Sequence, residues 1–269
     1  MPLILSRTPF NPQNPYRSER PMTSKIIFLS FEGSVTEEEY FDHITSLFSE
    51  IKSKIQFISV AEDAVHTLPK RRSPEQAKML SKVRPKQLVE RIEQFKLEKE
   101  DVYQFSKFPD DEFWIVTDVD KNWSNEIISP SDGKTYNDEW NDAIAMCQAK
   151  NYGYAISNPF FEIWLLLHHD IPNEVDKGFA VTDDHAYEKT DHFRMRLQDL
   201  GAPLKDKKHI DSSDYDVEKV KTAISRAEEL HFNKTDLCPK CFATTVYILL
   251  NKMMEMLPPI EQDENGLVK

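Results

Sequence analysis

The stretch "KIIFLSFEGSVTEEEYF" (25–41) decides the fold. Its first seven residues form a short apolar run rich in β-formers, which predicts a buried strand. "EGSVT" turns the chain. Beyond it Tyr40, Phe41, Ile44, Leu47, Phe48 and Ile51 recur at three- and four-residue steps, the period of a helix with one apolar face. Thr36 with Glu39 three residues on has the spacing of a capping box. A buried strand feeding a helix is the unit from which parallel sheets are assembled.

The same alternation continues downstream. "KIQFISVA" (54–61), "DEFWIVTDVD" (111–120) and "YGYAIS" (152–157) are predicted as further strands. Helices are expected over about 85–98, with Leu88, Ile92 and Phe95 on one face, over about 138–150, and in the apolar run after the fourth strand. From about residue 171 the pattern is mainly helical, near 184–200, 214–230 and 242–256. The expectation is an α/β core over 25–170, with a mostly parallel sheet flanked by helices, a helical C-terminal part over 171–269, and an extended Pro-rich tail over 1–24. Residues 62–84 are expected to be a long loop or insertion.

The chain has 269 residues, 39% hydrophobic and 30% charged, with a net charge of −12. That excludes a wholly basic surface, so nucleic-acid binding would need a local basic patch, metal ions or a partner. The best local patch is "KRRSPEQAKMLSKVRPK" (70–86), with Lys70, Arg71, Arg72, Lys82, Arg84 and Lys86 as candidate phosphate contacts. A solvated insertion explains it equally well. Three cysteines argue against a disulfide framework. With no signal-peptide core and no membrane-length apolar stretch, the cytoplasm is the expected location.

Ligands of open α/β sheets bind beyond the carboxyl ends of the strands. Acidic residues fall there. Glu32 follows the first strand and precedes Gly33, which allows close backbone approach, and a carboxylate there can act as general base or acid or as a further metal ligand. If "TDVD" stays in strand conformation, Asp118 and Asp120 project to one side, roughly 6–7 Å apart at the backbone. Such paired oxygen ligands suit Mg²⁺ or Mn²⁺. Glu37 and Glu38 sit in a first helical turn, where they complement the helix dipole.

"SNPFFEIWLLLHHD" (157–170) holds one carboxylate, Glu162, in a run apolar all round. Asn158 as N-cap and Pro159 at the first helical position would account for "NP", but nothing there accounts for the Glu. It is either paired with a basic residue or part of a site. Gly33, Glu37, Asn158 and Glu162 are therefore additional site candidates. His168 and His169 end that helix and suit its dipole. Trp114 and Trp164 fit the core. Lys205, Lys207 and Lys208 are candidate phosphate-site cations that spacing does not distinguish. "CPKC" (238–241) invites a zinc or redox reading, although zinc wants four ligands and only His231 lies close in sequence.

"FEGSVTEEEYF" (31–41), "IVTDVD" (115–120) and "SNPFFEIWLLLH" (157–168) resemble, in order, the signature segments of the RloB family. The resemblance spans about 25–170 and weakens through the C-terminal part. It implies a Toprim-like fold, in which the first Glu (Glu32) handles protons and the two Asp residues (Asp118, Asp120) hold a divalent metal. It further implies a metal-dependent nuclease acting on DNA or RNA, tRNA included, in anti-phage defence beside an ABC/AAA-type ATPase. A non-catalytic adaptor or nucleic-acid-binding module is the alternative, and nucleotidyl transfer ranks last. Homo-oligomer formation stays open.

Overall fold

The computed structural model describes residues 25–33, 35–58, 83–129 and 131–257. The expected tail over 1–24, most of the basic insertion, and Lys70, Arg71, Arg72 and Lys82 lie outside these residues.

The first strand, β1 (Ile27–Phe31), is buried along its whole length. It leads to α1 (Thr36–Leu47) and, through a short 3₁₀ turn, to β2 (Ile55–Phe57), paired parallel to β1. Helix α2 (Pro85–Tyr103) runs one turn past the expected end. It stops where Gln104 takes the left-handed conformation, φ 54°. β3 (Glu112–Asp118) lies parallel to β1 on its other side, Phe31 opposite Val116. A small hairpin of β4 (Ile127–Ser129) and β5 (Lys134–Thr135) precedes α3 (Tyr136–Lys150), which carries a Thr135–Asp138 capping box. β6 (Gly153–Asn158) pairs parallel to β3, Asp118 opposite Ser157.

Because β1, β3 and β6 are covered on both faces, they are near-continuous apolar runs rather than alternating ones. Ile27, Leu29, Phe31, Trp114, Val116 and Ala155 join a cluster with α1 and the C-terminal helices. Ile26, Phe28, Phe113, Ile115 and Ile156 join the other, with α2 and α3. The architecture is therefore mixed α/β, a mostly parallel sheet between helical layers. Trp114 and Trp164 are core, as expected.

After β6 come α4 (Glu162–Leu167), a single turn α5 (Glu174–Lys177), α6 (His192–Asp199) and α7 (Val217–Leu230). Then β7 (Ala243–Thr244) adds to the sheet antiparallel to β6, and α8 (Val246–Met254) packs back on the core. The strand order is β2-β1-β3-β6-β7. The mainly helical C-terminal part thus also supplies a sheet strand, two residues long and too short for any periodicity to mark.

Two local expectations fail. Asn158 is not an N-cap: it ends β6, and the Asn158–Pro159 bond is cis. Its buried amide instead holds two loops. Nδ2 donates to Val181 O (2.7 Å) and Pro239 O (2.9 Å), and Oδ1 accepts from Val181 N (2.8 Å). Thr36 makes no capping box either, because its hydroxyl donates to Lys208 O (2.6 Å) while Glu39 accepts from Ile210 N–H (3.0 Å) and meets His209. Tertiary contacts claimed both side chains. Among the described residues, no helix is long and apolar enough to cross a membrane.

Candidate active site at the strand ends

Glu32, Asp118 and Asn158 lie side by side, just past or at the carboxyl ends of three adjacent strands. The ladder continues one step beyond β1, with Glu32 N–H donating to Val116 O (2.9 Å). That seats Glu32 next to Thr117, whose hydroxyl donates to Glu32 Oε2. Asp118 N–H donates to the same oxygen at 3.2 Å, and the Asn122 side chain adds a further hydrogen bond. Burial is the stronger influence and pushes the Glu32 carboxyl up to about 7.

The D-x-D pair is not arranged as strand alternation predicts. β3 ends at Asp118, Val119 is helical (φ −64°, ψ −51°) and Asp120 has φ 37°. The chain turns because Asn122 Nδ2–H caps Asp118 O (2.9 Å) and Asp120 N–H reaches Pro159 O (3.1 Å). The two carboxylates still share one electrostatic environment. Burial raises the Asp118 carboxyl well above its ordinary value, and the charges of Glu37, Glu32, Glu162 and Asp120 raise it further.

Glu37 is more than a helix-dipole residue. It is only 8% exposed, and burial together with the charges of Glu162 and Glu32 pushes it up to about 7. Its carboxylate accepts from its own N–H and from that of Gly33. A Cβ on Gly33 would stand 2.0 Å from Glu37 Oε2, so the missing side chain at 33 leaves the space that the carboxylate occupies. One turn along the same helix, Tyr40 meets Phe161 and Trp164 edge-on and hydrogen-bonds His168 Nε2 (3.0 Å). These aromatics lock α1 to α4 and so set Glu37 beside Glu162.

Glu162 faces a cation. Its Oε1 lies 2.7 Å from Arg194 of α6, which also holds Asp191 (2.9 Å). Arg194 and Tyr187, which hydrogen-bonds the Asp120 side chain, were not selected by sequence reasoning. They fall in the segment expected to be helical near 184–200, of which only His192–Asp199 forms a helix, and its apolar pattern marks neither residue. The lysines singled out from sequence lie elsewhere: Lys205 pairs with Asp211 (2.8 Å), Lys207 with Asp191 (3.1 Å), and Lys208 gives its carbonyl to Thr36. Arg84 and Lys86, the described end of the basic run, pair with Glu139 (2.9 Å) and Asp142 (3.6 Å) of α3.

His168 does not serve the helix dipole as a cation. It is buried, Nδ1 bonds Trp164 O (2.9 Å), and burial pushes it down to about 3. His231 is no ligand for "CPKC", since its nitrogens meet Tyr247 Oη (3.0 Å) and Asp236 O (2.6 Å). Burial pushes the Cys238 thiol up to about 12, away from redox reactivity.

Among the described residues, no three His, Cys, Asp or Glu side chains are arranged to enclose a metal ion. A closed protein cage is therefore not what the acids form. The donor chemistry still fits Mg²⁺ or Mn²⁺, because it is all carboxylate oxygen and such ions keep several waters and take only one or two protein carboxylates. Carboxylates that raise one another's proton affinity are also what a divalent charge relieves.

A Toprim-like α/β sheet with an acidic group at its strand ends matches the class that the motifs resemble. The family model for RloB-like protein covers residues 27–253, and the chain belongs to that family. Neither the comparison with curated proteins nor that with solved structures finds a match.

Proposed function

We propose that the protein is a divalent-metal-dependent nuclease that hydrolyses phosphodiesters of DNA or RNA, under the control of an ABC/AAA-type ATPase in anti-phage defence. One observation carries the chemical part of this reading. Asp118 is half-buried at a strand end amid four other carboxylates, each raising its affinity for positive charge. The defence setting and the ATPase rest on the family resemblance.

Asp118 and Glu37 would hold Mg²⁺ or Mn²⁺, with Asp120 and Glu162 within electrostatic reach. The ion would supply Lewis-acid stabilisation of charge developing on the phosphate. Glu32 handles the proton. With a carboxyl at about 7, it is poised to take a proton from water or return one to the leaving oxygen near neutral pH. Thr117 and the Asp118 N–H orient its Oε2, so the acceptor is positioned before substrate arrives.

The test offers plasmid, single-stranded DNA and tRNA to the purified protein with Mg²⁺ or Mn²⁺, alone and with an ATPase encoded beside it. Cleavage by the wild type, lost in Asp118→Asn and Glu32→Gln, is expected. Equal cleavage by the variants, or none by the wild type in either setting, contradicts the reading.

A further inference from the structure

Arg91 is a half-buried cation that meets only neutral oxygens. It projects from α2 toward the end of β1, where Nη1 lies 3.3 Å from Phe31 O and 3.5 Å from Ser30 Oγ. Phe31 immediately precedes Glu32. Among the described residues Arg91 forms no ion pair with any carboxylate. At the start of the helix, Arg84 pairs with Glu139 and Lys86 with Asp142. Arg226 also meets only a carbonyl, Leu167 O, but at 2.7 Å, whereas the two oxygens that face Arg91 are both distant.

A guanidinium carries five N–H donors in a planar fork. Two neutral oxygens at 3.3 and 3.5 Å use little of that capacity. Holding an unpaired charge half-buried is unfavourable, and burial lowers the Arg91 pKa to about 10. The arrangement becomes favourable once an anion completes the fork, bidentate in the manner of a phosphate. Its contact with Phe31 O places it one residue before Glu32 on the chain, and it forms no ion pair with Glu32.

We propose that Arg91 is an anion seat that binds a phosphate of the substrate backbone next to the one held at the acidic group. The assignment to a polynucleotide rests on the nuclease reading above. The seat itself needs only a phosphate anion. Arg91 is then a binding and positioning residue, and its loss raises KM more than it lowers kcat.

The experiment uses the full-length protein and two probes at fixed ionic strength, inorganic pyrophosphate and a fluorescent single-stranded oligonucleotide. Arg91→Gln keeps hydrogen-bond donors and removes the charge. It is expected to bind the oligonucleotide roughly five- to tenfold more weakly, with the slope of log K against log[salt] reduced by ~0.7, the share of one phosphate contact. Pyrophosphate is expected to raise the melting temperature of the wild type and not that of the variant. A measurement free of substitutions accompanies these: phenylglyoxal labelling of Arg91 in the wild type, read by mass spectrometry, is expected to slow when either probe is present. Protection by pyrophosphate without oligonucleotide binding would leave the seat standing and remove the polynucleotide. Labelling of Arg91 unaffected by both probes, or equal pyrophosphate stabilisation of wild type and Arg91→Gln, would overturn the proposal.

Discussion

Glu162 Oε1 lies 2.7 Å from Arg194 Nη2, across the gap between α4 and α6. The lone carboxylate of an apolar helix is therefore neutralised from a helix more than twenty residues later. It still adds negative potential to Asp118. The pair ties the C-terminal helices to the acidic site, and removing the arginine should be felt there. Arg194→Met is expected to lower stability by about 1 kcal/mol, because the arginine is partly exposed and its pairing is screened by solvent. Mg²⁺ should raise the melting temperature of Arg194→Met more than that of the wild type, since Glu162 would then join the unrelieved acids. Equal Mg²⁺ shifts in the two proteins would show that Glu162 lies electrically outside the site.

The paired elevation of Glu32 and Glu37 has a definite pH signature. Each carboxyl titrates at about 7 in the folded protein, against an ordinary 4.5. The folded state thus binds more protons than the unfolded one in that window, and stability falls as pH rises from about 4.5 to 7. For Glu37, the more enclosed of the two, this amounts to roughly 3 kcal/mol as an upper bound. Glu37→Gln should therefore raise the melting temperature by several degrees at pH 8, without divalent ions, and leave it little changed at pH 5. Thermal melts at the two pH values decide it, and an equal shift at both would remove the electrostatic explanation.

His168 works in the opposite direction. Burial holds it neutral, with a pKa of about 3 against an ordinary 6.5. The unfolded chain takes up its proton first as pH falls, so stability is lost from about 6.5 downward. His168→Phe should flatten that acid limb. It should also cost about 1–3 kcal/mol at pH 7, because the Tyr40 hydroxyl loses its partner. Urea unfolding across pH measures both effects, and an unchanged acid limb would contradict a buried neutral histidine.

Asn158 offers a test of architecture rather than chemistry. Its side chain makes three hydrogen bonds, two to the backbone of Val181 and one to that of Pro239, at the end of β6. Asn158→Ala should destabilise by about 3 kcal/mol or more, since it leaves buried backbone groups without partners. Asn158→Asp should do no better, because a carboxylate cannot donate to Val181 O or Pro239 O. Denaturant midpoints similar to the wild type would show that the amide does not hold the two loops.

These outcomes bear on what the residues disclosed before any coordinates. β1 and β3 were legible because strands covered on both faces become continuous apolar runs, and their ends pointed to Glu32 and Asp118. Glu37 is a site candidate by sequence, yet a first helical turn alone already explains an acid there. Only the approach of Gly33 and the aromatic lock through Tyr40 show that it turns inward. Asp120 was placed by strand alternation that stops one residue too soon, at a turn set by Asn122. Asn158–Pro159 has the letters of a helix start, yet its amide is bound by partners 23 and 81 residues away. Arg194, Tyr187 and Arg91 come from a loop and from helix faces, where local pattern says nothing about what lies across the sheet.

The most direct test of the central claim is Mn²⁺ binding by the full-length protein, followed by titration calorimetry at pH 6.5, wild type against Asp118→Asn. The account predicts binding by the wild type that releases protons from the elevated carboxyls, and a weakening of roughly tenfold to a hundredfold in the variant. Equal affinity in the two proteins, or no Mn²⁺ binding by either, would contradict it.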